Sequence, residues 1–163
     1  MTRHTRGLAA LLLVAAFAGS TPLAAQEAVA PAPPPAAGEL VRVAEPVQAT
    51  AARGANVEVT IPFTVLAGWH INAHRPNEEF LVPTVLTLRG GPGVRVGTPR
   101  YPEPRNVTLS FSETPLAVYE ENAAIVVPLT IEGAAAEGAR KLSGTLNFQA
   151  CNNEVCLPPA NVP

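Results

Sequence analysis

The chain contains no aspartate; all thirteen of its acidic residues are glutamate. That removes chemistry that needs aspartate by kind, the usual calcium loops included. Ser110, Ser112 and Ser143 lack a GxSxG elbow and an Asp partner, so serine-hydrolase chemistry is unsupported. Charge is sparse: eleven Lys and Arg lie scattered among the glutamates, with a net charge of −2. No basic stripe exists to follow a phosphate backbone, and nucleic acid is not an expected partner. Helical periodicity is missing beyond the first residues. Apolar runs after residue 25 are interrupted by Pro, Arg and Glu, so no later segment is a candidate membrane span.

What is present divides the 163 residues into three parts. Residues 1–25 read as a secretory signal peptide. Arg3, His4 and Arg6 give a positive start, Leu8–Ala18 is an unbroken small and apolar run, and Ala24 and Ala25 offer a cleavage site. The run is shorter than the roughly 20 residues of a membrane span; an uncleaved N-terminal membrane anchor is the competing reading. Residues 26–38 hold Pro31, Pro33, Pro34 and Pro35 among alanines, a composition that favours extended geometry and builds no core. Residues 39–163 form the expected domain. They number roughly 120, enough for one hydrophobic core.

This third part reads as strand almost throughout. Val57, Val59, Ile61, Phe63 and Val65 alternate with Glu58, Thr60, Pro62 and Thr64, the period-two pattern of a half-buried strand. Pro62 points to an edge or a bulge. Val82–Arg89, Val94–Val96, Ala124–Ile131 and Lys141–Ala150 add further strands, and 40–44 and 47–51 are short candidates. Gly90–Gly93 and Gly133–Gly138 mark turns, and Tyr101–Arg105 is too proline-rich for a regular element. About eight short strands separated by turn signals predict an all-β fold, an immunoglobulin-like antiparallel β-sandwich, with a small closed barrel as the alternative.

The informative segment is Asn147–Pro159, NFQACNNEVCLPP. Asn tolerates left-handed backbone angles, so Asn152–Asn153 favours a turn that brings Cys151 and Cys156 face to face at the base of a hairpin. An exported chain with two cysteines holds one disulfide or a cycling dithiol. A bridge closing so short a loop contributes about 2 kcal/mol in the chain-entropy model, and it ties neighbours that the hairpin already brings together. Spacing alone leaves redox exchange and a structural hairpin clip level.

The order of several short motifs separates these readings. GWHINA at Gly68–Ala73, VPT at Val82–Thr84, YP at Tyr101–Pro102, VYE at Val118–Glu120 and FQACNNEVCLPP at Phe148–Pro159 occur in an arrangement that resembles the N-terminal periplasmic domain of the DsbD family of thiol:disulfide interchange proteins. The resemblance implies an immunoglobulin-like sandwich with the cysteine pair at the end of a hairpin. It implies a protein-disulfide reductase type of module in the periplasm. Electrons would come from a thioredoxin-like or membrane electron-donor protein and pass to periplasmic disulfide-bearing acceptor proteins. Cys156 resembles the cysteine that forms mixed disulfides with partners, and Cys151 the resolving one. No CxxC accompanies them, so a separate reductant is expected. Ser110–Val118 corresponds by position to the family's cap loop, with Phe111 or Leu116 as the shielding residue; an ordinary sandwich loop is the alternative.

Two histidines remain. In the family that the chain resembles, the GWHINA segment contributes aromatic residues near the cysteines, and an imidazolium at His70 would there stabilise a thiolate; a strand-end histidine with a satisfied hydrogen bond is the plainer account. His70 and His74 with the cysteines make a nominal Cys2His2 set, but the spacing is wrong for a zinc finger. No metal and no cofactor is expected. Trp69 and Tyr101 read as core and rim residues. The competing functional class is a non-catalytic β-sandwich binding or assembly module with a structural disulfide.

Overall fold

The computed structural model describes Pro33, residues 35–44 and residues 48–163. The expected signal peptide, 1–25, and most of the proline-rich segment, 26–38, lie outside the described residues. Among those described, no helix is long and apolar enough to cross a membrane.

A 3-10 turn at Ala37–Glu39 leads into eleven strands: β1 (Val41–Val43), β2 (Asn56–Val65), β3 (His70–Asn72), β4 (Val85–Arg89), β5 (Val94–Val96), β6 (Arg105–Val107), β7 (Leu116–Tyr119), β8 (Asn122–Ile131), β9 (Ser143–Phe148), β10 (Ala150–Cys151) and β11 (Ala160–Val162). Every ladder is antiparallel. The strands form three sheets, in the orders β1-β2-β8-β5, β10-β3-β7-β6 and β11-β9-β4. The main core lies between the first sheet, which supplies Val59, Phe63, Val65, Ile125, Val127 and Leu129, and the other two, which supply Ile71, Tyr119, Leu86, Leu146 and Phe148. The expected immunoglobulin-like antiparallel β-sandwich is what the chain adopts.

The longest ladder pairs β2 with β8 from Asn56↔Thr130 to Thr64↔Asn122. Its alternation is the one read from the sequence: Val59, Phe63 and Val65 are buried, and Glu58, Thr60 and Thr64 are exposed. Pro62 fits at the end of the β1 ladder: β1 ends at Val43, opposite Phe63, Ala44 N still donates to the Pro62 carbonyl at 2.9 Å, and the bond that Pro62 cannot make is the return N–H at that last position. Pro128 in β8 uses the same device: β5 pairs only residues 129–131, and the Pro128 carbonyl accepts from Gly97 N at 2.8 Å.

Several elements differ from expectation. β4 begins at Val85, not Val82. The Gly90–Gly93 turn does not close a hairpin, because β4 pairs with β9 while β5 crosses to β8. No strand forms over 48–51. The expected strand Lys141–Ala150 is interrupted at Gln149: β9 runs beside β4, and after one residue the chain resumes as β10 beside β3. β7 was hidden because all four of its residues are buried. Ala117 and Tyr119 enter the main core, while Leu116 and Val118 join Leu81, Leu109 and Val107 in a second cluster on the outer face of that sheet. A strand buried on both faces shows no period of two.

Ile125 is fully buried at the centre of the main core. Ile125→Ala is expected to destabilise the fold by about 2–5 kcal/mol, read as a lower midpoint in urea with an unchanged slope. A loss under about 1 kcal/mol would place the core elsewhere.

Candidate functional site

The chain leaves β9 at Phe148 and passes through Gln149 into Ala150–Cys151. It turns over Asn152–Val155 and comes back at Cys156. Cys151 and Cys156 form a disulfide with Cα atoms 4.0 Å apart, and they are also an antiparallel bridge pair. The Asn152 side chain builds the turn: its Oδ1 accepts from the backbone N–H groups of Glu154 and Val155, each at 2.8 Å. Asn152 N donates to the Val155 carbonyl at 2.9 Å, and Leu157 N to the Ala150 carbonyl at 2.9 Å. The loop is therefore an Asx-type turn closed by backbone bonds on both sides of the bridge.

The two sulfurs occupy unequal surroundings. Cys151 is fully buried, whereas Cys156 is half-buried beside exposed Val155. β10 pairs with β3 so that Ala150 lies opposite Ile71 and Cys151 opposite His70. Directly opposed residues project to the same face of a sheet. Ile71 and Ala150 therefore point into the main core, and Cys151, His70 and Asn72 share the outer face with Val118 and Leu116.

A polar network holds this corner together. Gln149 Oε1 accepts from Asn72 Nδ2 at 3.3 Å and from Val82 N at 3.4 Å, and Gln149 Nε2 donates to the Leu157 carbonyl at 3.2 Å. Asn72 Nδ2 also donates to the Val82 carbonyl at 3.0 Å, and Thr84 Oγ1 donates to the Asn72 carbonyl at 2.5 Å. Asn72 and Thr84 are fully buried. Sequence reasoning missed all three residues. The available signal was their presence as polar residues inside the HINA, VPT and FQAC motifs, at positions whose neighbours are apolar.

His70 is 4% exposed, and its Nε2 has no hydrogen-bond partner among the described residues. The plainer account of a histidine with its hydrogen bond satisfied does not hold at that atom. Burial pushes its pKa below the ordinary histidine value, and the nearby Glu120 carboxylate opposes that effect. A cleft of about 400 Å³ opens beside it, walled by Trp69, Leu109, Glu120, Glu121 and Asn153 of the cysteine hairpin. His74 is engaged elsewhere: Nδ1 lies 3.0 Å from the Thr84 carbonyl, and the ring stacks on Tyr101 at 3.8 Å. Among the described residues no group of three or more His, Cys or Glu side chains is arranged to hold a metal ion.

The segment over residues 110–118 is part loop and part strand. Ser110 Oγ donates to the Asn153 carbonyl, which ties the loop to the cysteine turn. Phe111 is 48% exposed. Leu116 is in β7 rather than in the loop and is buried in the second cluster. The neighbouring 75–81 segment is fastened to this loop through Asn77 Nδ2 to the Pro115 carbonyl at 2.8 Å and Thr114 Oγ1 to Glu78 Oε1 at 2.6 Å.

The family model described as the N-terminal domain of thiol:disulfide interchange protein DsbD matches residues 37–162. Among solved structures, the chain is similar to the N-terminal periplasmic domain of ScsB from Proteus mirabilis, with 16% identity, a TM-score of 0.47, and coverage of 68% of this chain and 40% of that one. It is also similar to the reduced DsbD N-terminal domain of Neisseria meningitidis, with 20% identity, a TM-score of 0.41, and coverage of 67% of this chain and 75% of that one. This chain therefore spans well under half of the ScsB structure. No curated protein matches the sequence.

Two outcomes follow from the geometry. Gln149→Leu strands the Val82 N–H, one Asn72 Nδ2 bond and the Leu157 carbonyl; it should cost about 1–3 kcal/mol, measured by chemical denaturation, and a neutral result would empty the network of its structural role. His70 is held neutral by burial, so folding should weaken as pH falls through the ordinary histidine value, where the unfolded chain takes up the proton first, and on toward the lowered folded value. His70→Gln should flatten that part of the stability-versus-pH curve, and an unchanged curve would assign the fall to other groups.

Proposed function

The chain belongs to the family of DsbD N-terminal domains, and from that membership we propose that it is an exported thiol–disulfide interchange module that relays electrons through Cys151 and Cys156. It works in the bacterial periplasm, to which residues 1–25 direct it as a signal peptide and in which residues 26–38 serve as a tether. A thioredoxin-like or membrane electron donor reduces the bridge, and the resulting dithiol reduces disulfide-bearing acceptor proteins.

The observation that carries this reading is the unequal burial of the two cysteines at the tip of a hairpin. Disulfide exchange proceeds by attack of a thiolate on one sulfur of a bridge. A partner reaches the half-buried Cys156 and not the enclosed Cys151. Attack forms a bond between the partner sulfur and Cys156 Sγ, breaks the Cys151–Cys156 bond and leaves the electron pair on Cys151. The second partner thiolate then attacks the mixed disulfide, releasing Cys156. Run in reverse with an oxidised acceptor, Cys156 attacks first and Cys151 resolves. The loop tied to Asn153 through Ser110 is the candidate cover, with exposed Phe111 as the residue that would move aside.

The competing reading is a binding or assembly module with a structural clip, and a redox titration separates the two. The bridge is expected to equilibrate with a thiol buffer at a potential above about −300 mV; a value far below that would mark it as structural. The sulfur assignment is checked by trapping. Cys151→Ser should accumulate a mixed disulfide with a thioredoxin-like protein that lacks its own resolving cysteine, and Cys156→Ser should yield little, because the enclosed Cys151 thiol is beyond a partner's reach. Equal trapping would overturn the assignment.

A further inference from the structure

Cys151 presents a problem that the exchange chemistry alone leaves open. The resolving thiol must lose its proton to attack, yet it is fully buried on the face of a sheet. A lone thiolate there is disfavoured, because burial in apolar surroundings raises a thiol pKa. Some group must take the proton within that enclosed space.

The ladder supplies one candidate. His70 stands directly opposite Cys151 in the β3–β10 register, and such pairs have Cβ atoms about 4.5–5.5 Å apart on one face. The residue is only 4% exposed, and Nε2 is an unpartnered buried polar atom. Unpaired buried polar atoms are rare enough to call for a reason. The groups facing His70 come from several elements. β10 brings Cys151. The turn between β7 and β8 brings Glu120, whose carboxylate lies 3.7 Å from Arg105 Nη1 of β6, and Glu121. The other cleft walls, Trp69, Thr108, Leu109 and Asn153 among them, carry no charge. Among the described residues that line the cleft, only His70 can carry a positive charge, and the Arg105 guanidinium behind them is engaged with Glu120.

We propose that His70 is the proton acceptor for Cys151, taking the Sγ proton as Cys151 attacks a mixed disulfide at Cys156 and handing it back when the bridge is reduced. In the oxidising direction a bond forms between Cys151 Sγ and Cys156 Sγ. The bond between Cys156 Sγ and the partner sulfur breaks, and its electron pair leaves with the partner as a thiolate. The dithiol is oxidised and the partner disulfide reduced. The proton rests on the imidazole and escapes to solvent through the cleft between Trp69 and Asn153. In the reducing direction a proton enters from solvent through the same cleft and passes by way of the imidazole to the thiolate that forms on Cys151. Burial keeps His70 neutral near neutral pH, which is the form able to accept a proton.

This role rests on the relay reading for its biological setting, but its test needs no physiological partner. The reduced chain reacts with a chromogenic aromatic disulfide in two releases: Cys156 attacks first, and Cys151 then resolves the adduct and frees the second aromatic thiolate. The second release reports Cys151 alone. Its rate in the unaltered chain should rise to a plateau with an inflection below the ordinary histidine value. In His70→Gln the rate at neutral pH should drop by roughly 10²-fold or more, the usual worth of a positioned base, and should climb with pH toward the thiol range with no early plateau. The first release should change little. A single thiol-range inflection in the unaltered chain overturns the role with no variant required, as does an identical second-release profile in His70→Gln. A structural disulfide potential would sink the relay while leaving this pH profile intact, so the two failures are distinguishable.

Discussion

Gln149 stands where the chain leaves one sheet and enters another, and its side-chain amide makes the bonds that neither ladder can supply at that point. β9 ends at Phe148 with its backbone committed to β4 and β11, and β10 begins at Ala150 with its backbone committed to β3. Between them a residue with an aliphatic side chain would leave the Val82 N–H and the Leu157 carbonyl without partners. The glutamine satisfies both and reaches Asn72 as well. The cysteine hairpin is thereby fixed to β3 and to the segment before β4, and the position of the disulfide follows from that attachment.

The attachment also sets which way the hairpin faces. With Ala150 opposite Ile71, the small residue enters the core and the next residue, Cys151, must project outward beside His70. β7 then matters because it is buried on both sides. Its Ala117 and Tyr119 complete the main core, and its Leu116 and Val118 found the second cluster that encloses the outer face. The disulfide thus straddles a boundary, with one sulfur against this second cluster's side of the sheet and the other in the more open turn. Asymmetry of that kind gives the two cysteines different chemistry although four residues separate them in sequence.

The parts of the fold that were legible from sequence are those whose burial is one-sided. β2 and β8 alternate cleanly because one face meets the core and the other meets solvent. Pro62 was legible as a local interruption, and the ladder confirms why it is tolerated. β3 and β7 were not legible. HIN is short and wholly buried, with two polar residues, and LAVY is buried on both faces, so neither shows a period. Leu116 was consequently placed in a covering loop. The Gly90–Gly93 turn was legible as a turn but not as a crossing, since nothing local distinguishes a hairpin from a passage between sheets. The histidine was legible only as a candidate, because its neighbour across the ladder lies some eighty positions further along the chain.

The sequence by itself determined the all-β class, the strands with one wet face, the turn at Asn152–Asn153 and the pairing of the only two cysteines. Each of these depends on residues within a few positions of one another, where backbone preference and alternation act directly. The tertiary structure alone decided which sulfur is enclosed, that His70 faces Cys151, that Gln149 is the fastening point and that a second apolar cluster covers the outer face. Those facts depend on register between strands distant in the chain, and register is set by the packing of whole sheets, which no local pattern encodes.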